Sequence, residues 1–147
     1  MAGNANQEIL LGDSDIVYPN RIGNLYSPAT INSGTGTGSL TLVTGNPGYY
    51  ITELGYHADV TCTLASAGMI SITFMDSSSG TVANFRLYVP AAVTAPGYAT
   101  TIRQVNQGPF VWSSKVASST LSVSINTALT AGSIRCFVRY GTTSYLG

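Results

Sequence analysis

A histidine and an aspartate two positions apart are the residues best suited to chemistry. His57 is the only histidine in the chain, so any catalytic or metal site that uses an imidazole must include it. On a β-strand Asp59 would share its face, where a carboxylate can orient an imidazole or help to hold a metal ion. Either site needs further ligands or a nucleophile, and the sequence singles out none. We therefore expect His57 and Asp59 to belong to a polar surface that faces solvent or an interface.

Three other patterns match known sites only in part. The chain has many serines that could belong to a Ser-His-Asp triad, but the nucleophile-elbow pattern Gly-x-Ser-x-Gly is absent. The glycines of 34–38 suit a phosphate-binding loop, yet neither a lysine nor a helix follows them. Asp13 and Asp15 have the spacing used by calcium loops, without the glycine and terminal glutamate of the twelve-residue loop. The sequence therefore predicts a flexible hinge at the glycines of 34–38 and a solvated turn at Asp13 and Asp15. It predicts neither a cofactor nor a bound metal.

The composition argues against several classes of function. Only 8% of the residues are charged and the formal net charge is +0, whereas an average globular protein has about 25% charged residues. A formal net charge of zero provides no overall attraction for nucleic acid or an anionic membrane. One histidine and six acidic residues leave few ways to build an acid and base pair, so an enzyme is the least favoured class. Because a charge-poor surface offers little repulsion between molecules, we expect extensive protein contacts.

The nine tyrosines are the best indication of binding. Tyrosine combines a large rigid surface with a hydroxyl, which suits protein interfaces and sugar-binding sites equally. Ordinary packing at the edge of the core is the alternative explanation. Seven of the nine fall in the N-terminal segment, at predicted strand ends or near turns: Tyr18, Tyr26, Tyr49, Tyr50, Tyr88, Tyr98 and Tyr145.

The cysteines and the N-terminus bear on the compartment. Cys62 and Cys136 lie in strand-like segments, so we expect small core side chains, and a disulfide is possible if their strands are neighbours. The N-terminus has no basic region, and the apolar run 9–11 is too short for a signal-peptide core. No segment approaches the roughly 20 apolar residues of a membrane span. The sequence therefore predicts neither an export signal nor a membrane anchor.

Strand-like segments begin after residue 37. Residues 1–37 show no sustained period and are predicted to be an extended N-terminal arm that ends in a glycine-rich hinge. Residues 38–147 are predicted to form one domain, in which segments rich in Val, Ile, Thr, Tyr and Phe alternate with turn residues. The strands are predicted near residues 39–44, 49–62, 68–76, 81–89, 98–105, 109–113, 119–126 and 132–141.

Eight short strands without intervening helices predict an all-β fold with a single antiparallel β-sandwich. A jelly roll is the eight-stranded form of such a sandwich. A seven-stranded immunoglobulin-like sandwich is the alternative, and it is disfavoured because Trp112 lies much nearer to Cys136 than to Cys62. The two prolines within 88–97 predict a long connection between the sheets.

An N-terminal arm followed by a charge-poor β-domain resembles the small virion proteins of tailed bacteriophages. The likeness covers residues 50–141 and is carried at the end of the domain by Asn126-Thr-Ala-Leu-Thr-Ala-Gly-Ser-Ile-Arg-Cys-Phe-Val-Arg-Tyr140. Among those proteins the chain is most similar to head decoration, or cement, proteins with β-sandwich or jelly-roll folds. The similarity is one of composition and organisation and includes no diagnostic motif.

The resemblance implies a structural protein without catalysis or cofactor. Decoration proteins of this kind commonly sit on the assembled capsid as homotrimers and bridge major capsid subunits, which would place this chain on the virion surface after synthesis in the host cytoplasm. Residues 1–37 would then order against the major capsid protein as a clamp. The predicted partner-binding residues are Ile9, Leu10, Leu11, Ile16, Tyr18, Leu25 and Tyr26.

Two other functions fit the sequence. One is a tail or baseplate component, such as an adhesin. The other is a carbohydrate-binding module, in which exposed tyrosines and Trp112 would stack on sugar rings while His57 and Asp59 bond sugar hydroxyls.

Overall fold

The computed structural model describes residues 22–91, 99–105 and 112–144, and these residues form nine β-strands and no helix. No helix able to cross a membrane occurs among them. The strands are β1 (Ile22–Asn32), β2 (Leu40–Val43), β3 (Tyr50–Thr63), β4 (Gly68–Asp76), β5 (Gly80–Val89), β6 (Ala99–Val105), β7 (Trp112–Ser113), β8 (Leu121–Ile125) and β9 (Ala131–Thr143).

The strands form two sheets in which every described pair of strands is antiparallel. The five-stranded sheet has the order β1-β9-β3-β6, and the short β7 also pairs with β3. The four-stranded sheet has the order β2-β8-β4-β5. The predicted all-β sandwich is confirmed.

The pairing of the strands has the nested connectivity of a jelly roll. The first described strand, β1, pairs with the last, β9; β2 pairs with β8, β3 pairs with β6, and β4 pairs with β5. This is the pattern of one long antiparallel hairpin that is rolled up so that successive pairs alternate between two sheets. Of the nine described strands, β7 alone, which lies between β6 and β8 in the chain, falls outside this pattern.

The core lies between the two sheets and follows the period of two in each strand. In β4 the alternate residues Ile70, Ile72 and Phe74 are fully buried, whereas the residues between them are half-buried. The Phe74 ring contacts Tyr56 and Phe85, with ring centroids 4.7 Å and 5.5 Å away. The inward faces of β8 and β9 complete the core with Leu121, Val123, Ile125, Ile134, Cys136 and Val138.

The two cysteines lie in neighbouring strands of the five-stranded sheet. Both are buried and free, so they are core side chains without a disulfide. The register shows why, since Cys62 lies opposite Gly132 whereas Cys136 lies opposite Ala58, four residues further along each strand.

The prediction that residues 1–37 form an arm is wrong for residues 22–32. These residues form β1, which pairs with β9 from Ile22 opposite Thr142 to Asn32 opposite Ser133. Glycine and proline hide the period in the sequence, yet Pro28 is tolerated because β1 lies at the end of the described strand order, where its hydrogen bonds come from β9. The sandwich therefore begins at β1.

The predicted hinge after β1 is an ordered turn. The Asn32 side chain accepts hydrogen bonds from the Gly34 amide at 2.9 Å and from the Thr35 hydroxyl at 3.3 Å. Its backbone carbonyl accepts the Thr35 amide at 3.0 Å. Residues 1–21, 92–98, 106–111 and 145–147 lie outside the described residues, as do most of the strand predicted at 109–113 and of the connection predicted at 88–97.

Candidate functional site

The outer face of the five-stranded sheet gathers the side chains with chemical potential. They come from four neighbouring strands, and the register aligns them in rows that cross the sheet. The middle row is Pro28, Phe137, His57 and Arg103. The rows on either side are Thr30, Arg135, Asp59 and Thr101, and Tyr26, Arg139 and Gly55.

These residues face outward because their neighbours in each strand fill the core. In β3 the side chains of Tyr56, Ala58 and Val60 are buried. His57 and Asp59 lie between them and are half-buried on the opposite face. The prediction that His57 and Asp59 share an outward polar face is therefore confirmed.

His57 and Asp59 use different partners on this face. The His57 ring stacks on the Phe137 ring with centroids 4.4 Å apart and an interplanar angle of 16°. The Arg135 guanidinium carbon lies 5.3 Å from the centroid of the same phenyl ring, within the range of a cation–π contact. Asp59 accepts a hydrogen bond from the Thr101 hydroxyl at 3.2 Å. His57 is thus held by an aromatic ring, which is not the arrangement of a catalytic base oriented by a carboxylate.

A depression of about 110 Å³ opens on this face. We call it the arginine cleft, and it is lined by Tyr26, Gly55, Tyr56, His57, Arg103 and Arg139. Gly55 lies directly opposite Arg139 in the register. Because glycine has no side chain, the space beside Arg139 on this face stays open. Tyr26 stands at the rim with 62% of its surface exposed.

The arginine cleft and its surroundings carry an excess of positive charge. Arg103, Arg135 and Arg139 are three of the chain's six basic residues and all lie on this outer face. Asp59 is the acidic residue whose side chain the structure describes there. Since guanidinium groups bind carboxylates and phosphates in a fork geometry, the cleft is suited to an anionic group.

The negative charge of Asp59 also affects the pKa of a buried thiol on the inner face of the same sheet. Burial raises the pKa of the Cys136 thiol to about 12, and the negative charge of Asp59 adds to this rise. Burial alone raises the pKa of the Cys62 thiol. Both thiols are therefore protonated at neutral pH and are poor nucleophiles or metal ligands. Among the described residues no group of three or more His, Cys, Asp and Glu side chains could hold a metal ion.

The predicted partner-binding residues are divided by the structure. Tyr26 lies in the arginine cleft, and Leu25 is half-buried in β1 opposite Tyr140. The others, Ile9, Leu10, Leu11, Ile16 and Tyr18, lie outside the described residues. Sequence reasoning missed Arg103, Phe137 and Gly55 as neighbours of His57, although the alternation of Arg135 and Arg139 in β9 already marked an outward basic face.

A second surface, on the opposite side of the sandwich, differs sharply in character. On the outer face of the four-stranded sheet, Met69 and Tyr88 lie side by side in register with 49% and 58% of their surfaces exposed. Serine and threonine dominate the rest of it, and among its described outward side chains only Arg86 is charged. We call this surface the neutral face.

Comparisons with known proteins assign this chain to no family. No protein-family model matches the chain, and no curated protein matches it. Among solved structures, the chain is similar to the crystal structure of the CBM36-1 domain of a multidomain xylanase from the hindgut metagenome of Trinervitermes trinervoides. The two are 14% identical with a TM-score of 0.30, and the similarity covers 82% of this chain and 98% of that domain.

Proposed function

We propose that this chain is a non-catalytic virion protein that binds the outer surface of a bacteriophage capsid and stabilises it by bridging major capsid subunits. The observation that carries this proposal is the neutral face. This broad sheet surface shares two features with protein interfaces: only one of its described outward side chains is charged, and the exposed pair is a methionine and a tyrosine, both of which are enriched at interfaces. In a crowded lattice such a face would be covered by neighbouring proteins.

The position of β1 supports a bridging role. Residues 1–21 lead directly into β1, which is the outermost of the described strands on its side of the five-stranded sheet. A segment attached at a sheet edge can extend onto an adjacent subunit without disturbing the core of its own domain. The clamp that we propose is therefore residues 1–21, and not 1–37, because residues 22–32 belong to the sandwich.

The proposal is tested first by cryo-electron microscopy of the native particle. We expect density on the outer capsid surface that fits the jelly roll, repeated with the symmetry of the shell and arranged as homotrimers. Density found only at the tail would replace decoration with an adhesin role. The absence of such density from the whole particle would overturn a virion function.

The contribution of the neutral face is tested by binding to particles that lack this protein. The double variant Met69→Lys and Tyr88→Lys should weaken binding by about 10- to 100-fold, since a few large side chains that become buried, tyrosines above all, dominate interface energies. A matched control adds two lysines elsewhere, at the exposed residues Thr127 and Ala128 between β8 and β9. Equal affinity of the two double variants would exclude the neutral face as the contact surface.

A carbohydrate-binding module is the second candidate, and the arginine cleft favours it. An exposed tyrosine beside a histidine and two arginines offers a stacking surface and hydrogen-bond donors for a sugar ring. A glycan array should then show binding that Tyr26→Ala abolishes and that Tyr88→Ala, a change on the opposite face, leaves intact. An array without signal for the unaltered protein would dispose of this function.

A further inference from the structure

The charges of this chain are divided unevenly between its N-terminal segment and its domain. Residues 1–21 contain Glu8, Asp13 and Asp15 but only Arg21, which is half of the six acidic residues and one of the six basic ones. Residues 22–147 contain five basic and three acidic residues. The formal charges are therefore −2 for the segment and +2 for the remainder. The zero net charge of the chain conceals two parts of opposite sign.

The positive charge of the domain is concentrated where the segment joins it. Tyr26, at the rim of the arginine cleft, is only four residues after Ile22, the first residue of β1. At 3.3 Å per residue, the cleft begins about 13 Å from that point. Arg139 pairs directly with Tyr26 across the β1–β9 ladder. The acidic segment therefore joins the sheet beside the basic cleft.

The segment is long enough to reach the cleft. Asp15 precedes Ile22 by seven residues, which span up to about 23 Å when extended. A chain reversal is needed between them, and Pro19-Asn20 is a dipeptide of the kind favoured in turns. Because the segment is tethered beside the cleft, its effective concentration there is of the order of millimolar, well above that of any untethered carboxylate at ordinary protein concentrations.

We propose that in the free protein, before it binds a capsid, the arginine cleft is a carboxylate-binding site occupied by the acidic segment 1–21 of the same chain, and that the segment leaves the cleft when it binds a capsid subunit. Asp13 and Asp15 bind Arg103 and Arg139, whose guanidinium forks match carboxylate geometry. The Tyr26 side chain, exposed at the rim, packs against the backbone of the docked segment. Competing carboxylates, or high salt, release the segment from the sheet. The site is defined on the isolated protein, so its test does not depend on capsid binding.

The first test follows trypsin cleavage after Arg21 in the full-length folded protein at low salt. A protease needs several extended residues around the cleaved bond, so docking of the segment should slow this cut. Arg103→Gln with Arg139→Gln, or Asp13→Asn with Asp15→Asn, should each speed it by about 5- to 30-fold, as expected for two partly exposed ion pairs. Arg86→Gln, an arginine on the neutral face, serves as the matched control and should not change the rate.

The second test separates docking within one chain from docking between chains. Hydrogen exchange of residues 8–18 should be slowed to the same degree from about 1 μM to about 100 μM protein, since a tethered contact does not depend on concentration. Asp13→Lys and Asp15→Lys should abolish this protection, and adding Arg103→Asp and Arg139→Asp should restore it. Protection that grows with concentration would assign the cleft to the segment of a second copy. If no cleft variant changed either the rate of trypsin cleavage after Arg21 or the hydrogen exchange of residues 8–18, the proposed site would be wrong.

Discussion

Gly132 shows how one residue fixes the start of a strand. Its φ of +81° lies in the left-handed region, which residues with a Cβ atom avoid. A Cβ atom placed there would lie 2.1 Å from the Thr61 carbonyl oxygen and 2.8 Å from the Cys62 Cα. Both atoms belong to β3, the neighbouring strand in the sheet. The position where β9 begins to pair with β3 therefore requires glycine for two separate reasons, the left-handed φ and the close approach of the β3 backbone.

Replacing Gly132 should be costly, and Gly48 allows the two reasons to be separated. Gly48 has a φ of +80°, and a Cβ atom there meets nothing within 4 Å. We expect Gly48→Ala to lower the free energy of unfolding by about 1 kcal/mol from backbone strain alone, and Gly132→Ala to lower it by more than about 2 kcal/mol because the clash is added. Urea denaturation measures both. Equal losses would show that the β3 backbone moves aside without cost.

The buried thiol of Cys136 makes stability depend on pH in the alkaline range. Its pKa in the folded protein is about 12, above the ordinary value of 9.0 that it regains on unfolding. The folded state therefore holds its proton more tightly than the unfolded state does. The resulting stability is fully present below about pH 9 and is lost as the pH rises towards about 12.

Urea denaturation from about pH 8 to about pH 11 tests this linkage. The free energy of unfolding should fall over that range in the unaltered protein, and it should fall less steeply in Cys136→Ala, in which no proton is released from that position. Tyrosine ionisation contributes equally to both proteins and cancels in the comparison. The prediction fails if the two slopes are the same.

Among the elements, core strands could be predicted from the sequence and β1 could not. The strands predicted near 68–76 and 81–89 form the β4–β5 hairpin, and in its turn Asp76 accepts the Ser78 amide at 2.7 Å. In β1 the residues Gly23 and Pro28 obscure the alternation of a strand. Its strand conformation depends on β9, more than 100 residues away in the chain, which no local pattern reveals.

The cleft escaped prediction for a related reason. A period of two places His57 and Asp59 on one face of β3, and this much was visible in the sequence. Arg103, Arg139 and Tyr26 reach the same place only through the pairing of β6, β9 and β1 with β3 and with each other. A shift of one residue in any of these registers would turn a side chain into the core, so the site depends on register.

If β1 is an integral strand, its inward residues must contribute to stability. Ile31 is fully buried in the core, and its neighbour Thr30 is exposed on the outer face. Ile31→Ala should lower the free energy of unfolding by about 3 kcal/mol, because it leaves a cavity between the sheets. Thr30→Ala, the matched control, should change it by less than about 0.5 kcal/mol. If Ile31→Ala and Thr30→Ala both had similarly small effects on the free energy of unfolding, β1 would not be an integral strand of the sandwich.

At the scale of the whole molecule, the two broad faces of the sandwich have opposite characters. One is neutral and partly apolar, and the other is basic and aromatic. A jelly roll with such faces can contact two different surfaces at once, as a bridging protein must. The proposed decoration function predicts a measurable effect on the particle, because ligands that bind only the assembled shell stabilise it by mass action.

Particles that lack this protein should release their genome at a lower temperature than complete particles. Adding the purified protein back should restore the original release temperature, and the Met69→Lys, Tyr88→Lys variant should not. Heating followed by nuclease accessibility of the genome provides the measurement. A release temperature that is independent of the protein would contradict a stabilising role, even if density were found on the shell.

The pairing of the first described strand with the last has a mechanical consequence. Ile22 lies opposite Thr142, so both ends of the described sandwich leave the same corner of one sheet. Tension applied between these ends acts across the β1–β9 ladder, whose hydrogen bonds run perpendicular to the strands. The bonds then break one after another from the corner inward, and the domain yields at low force. If the protein is held on both sides of that corner, swelling of the underlying surface would peel β1 away before it disturbed the rest of the core.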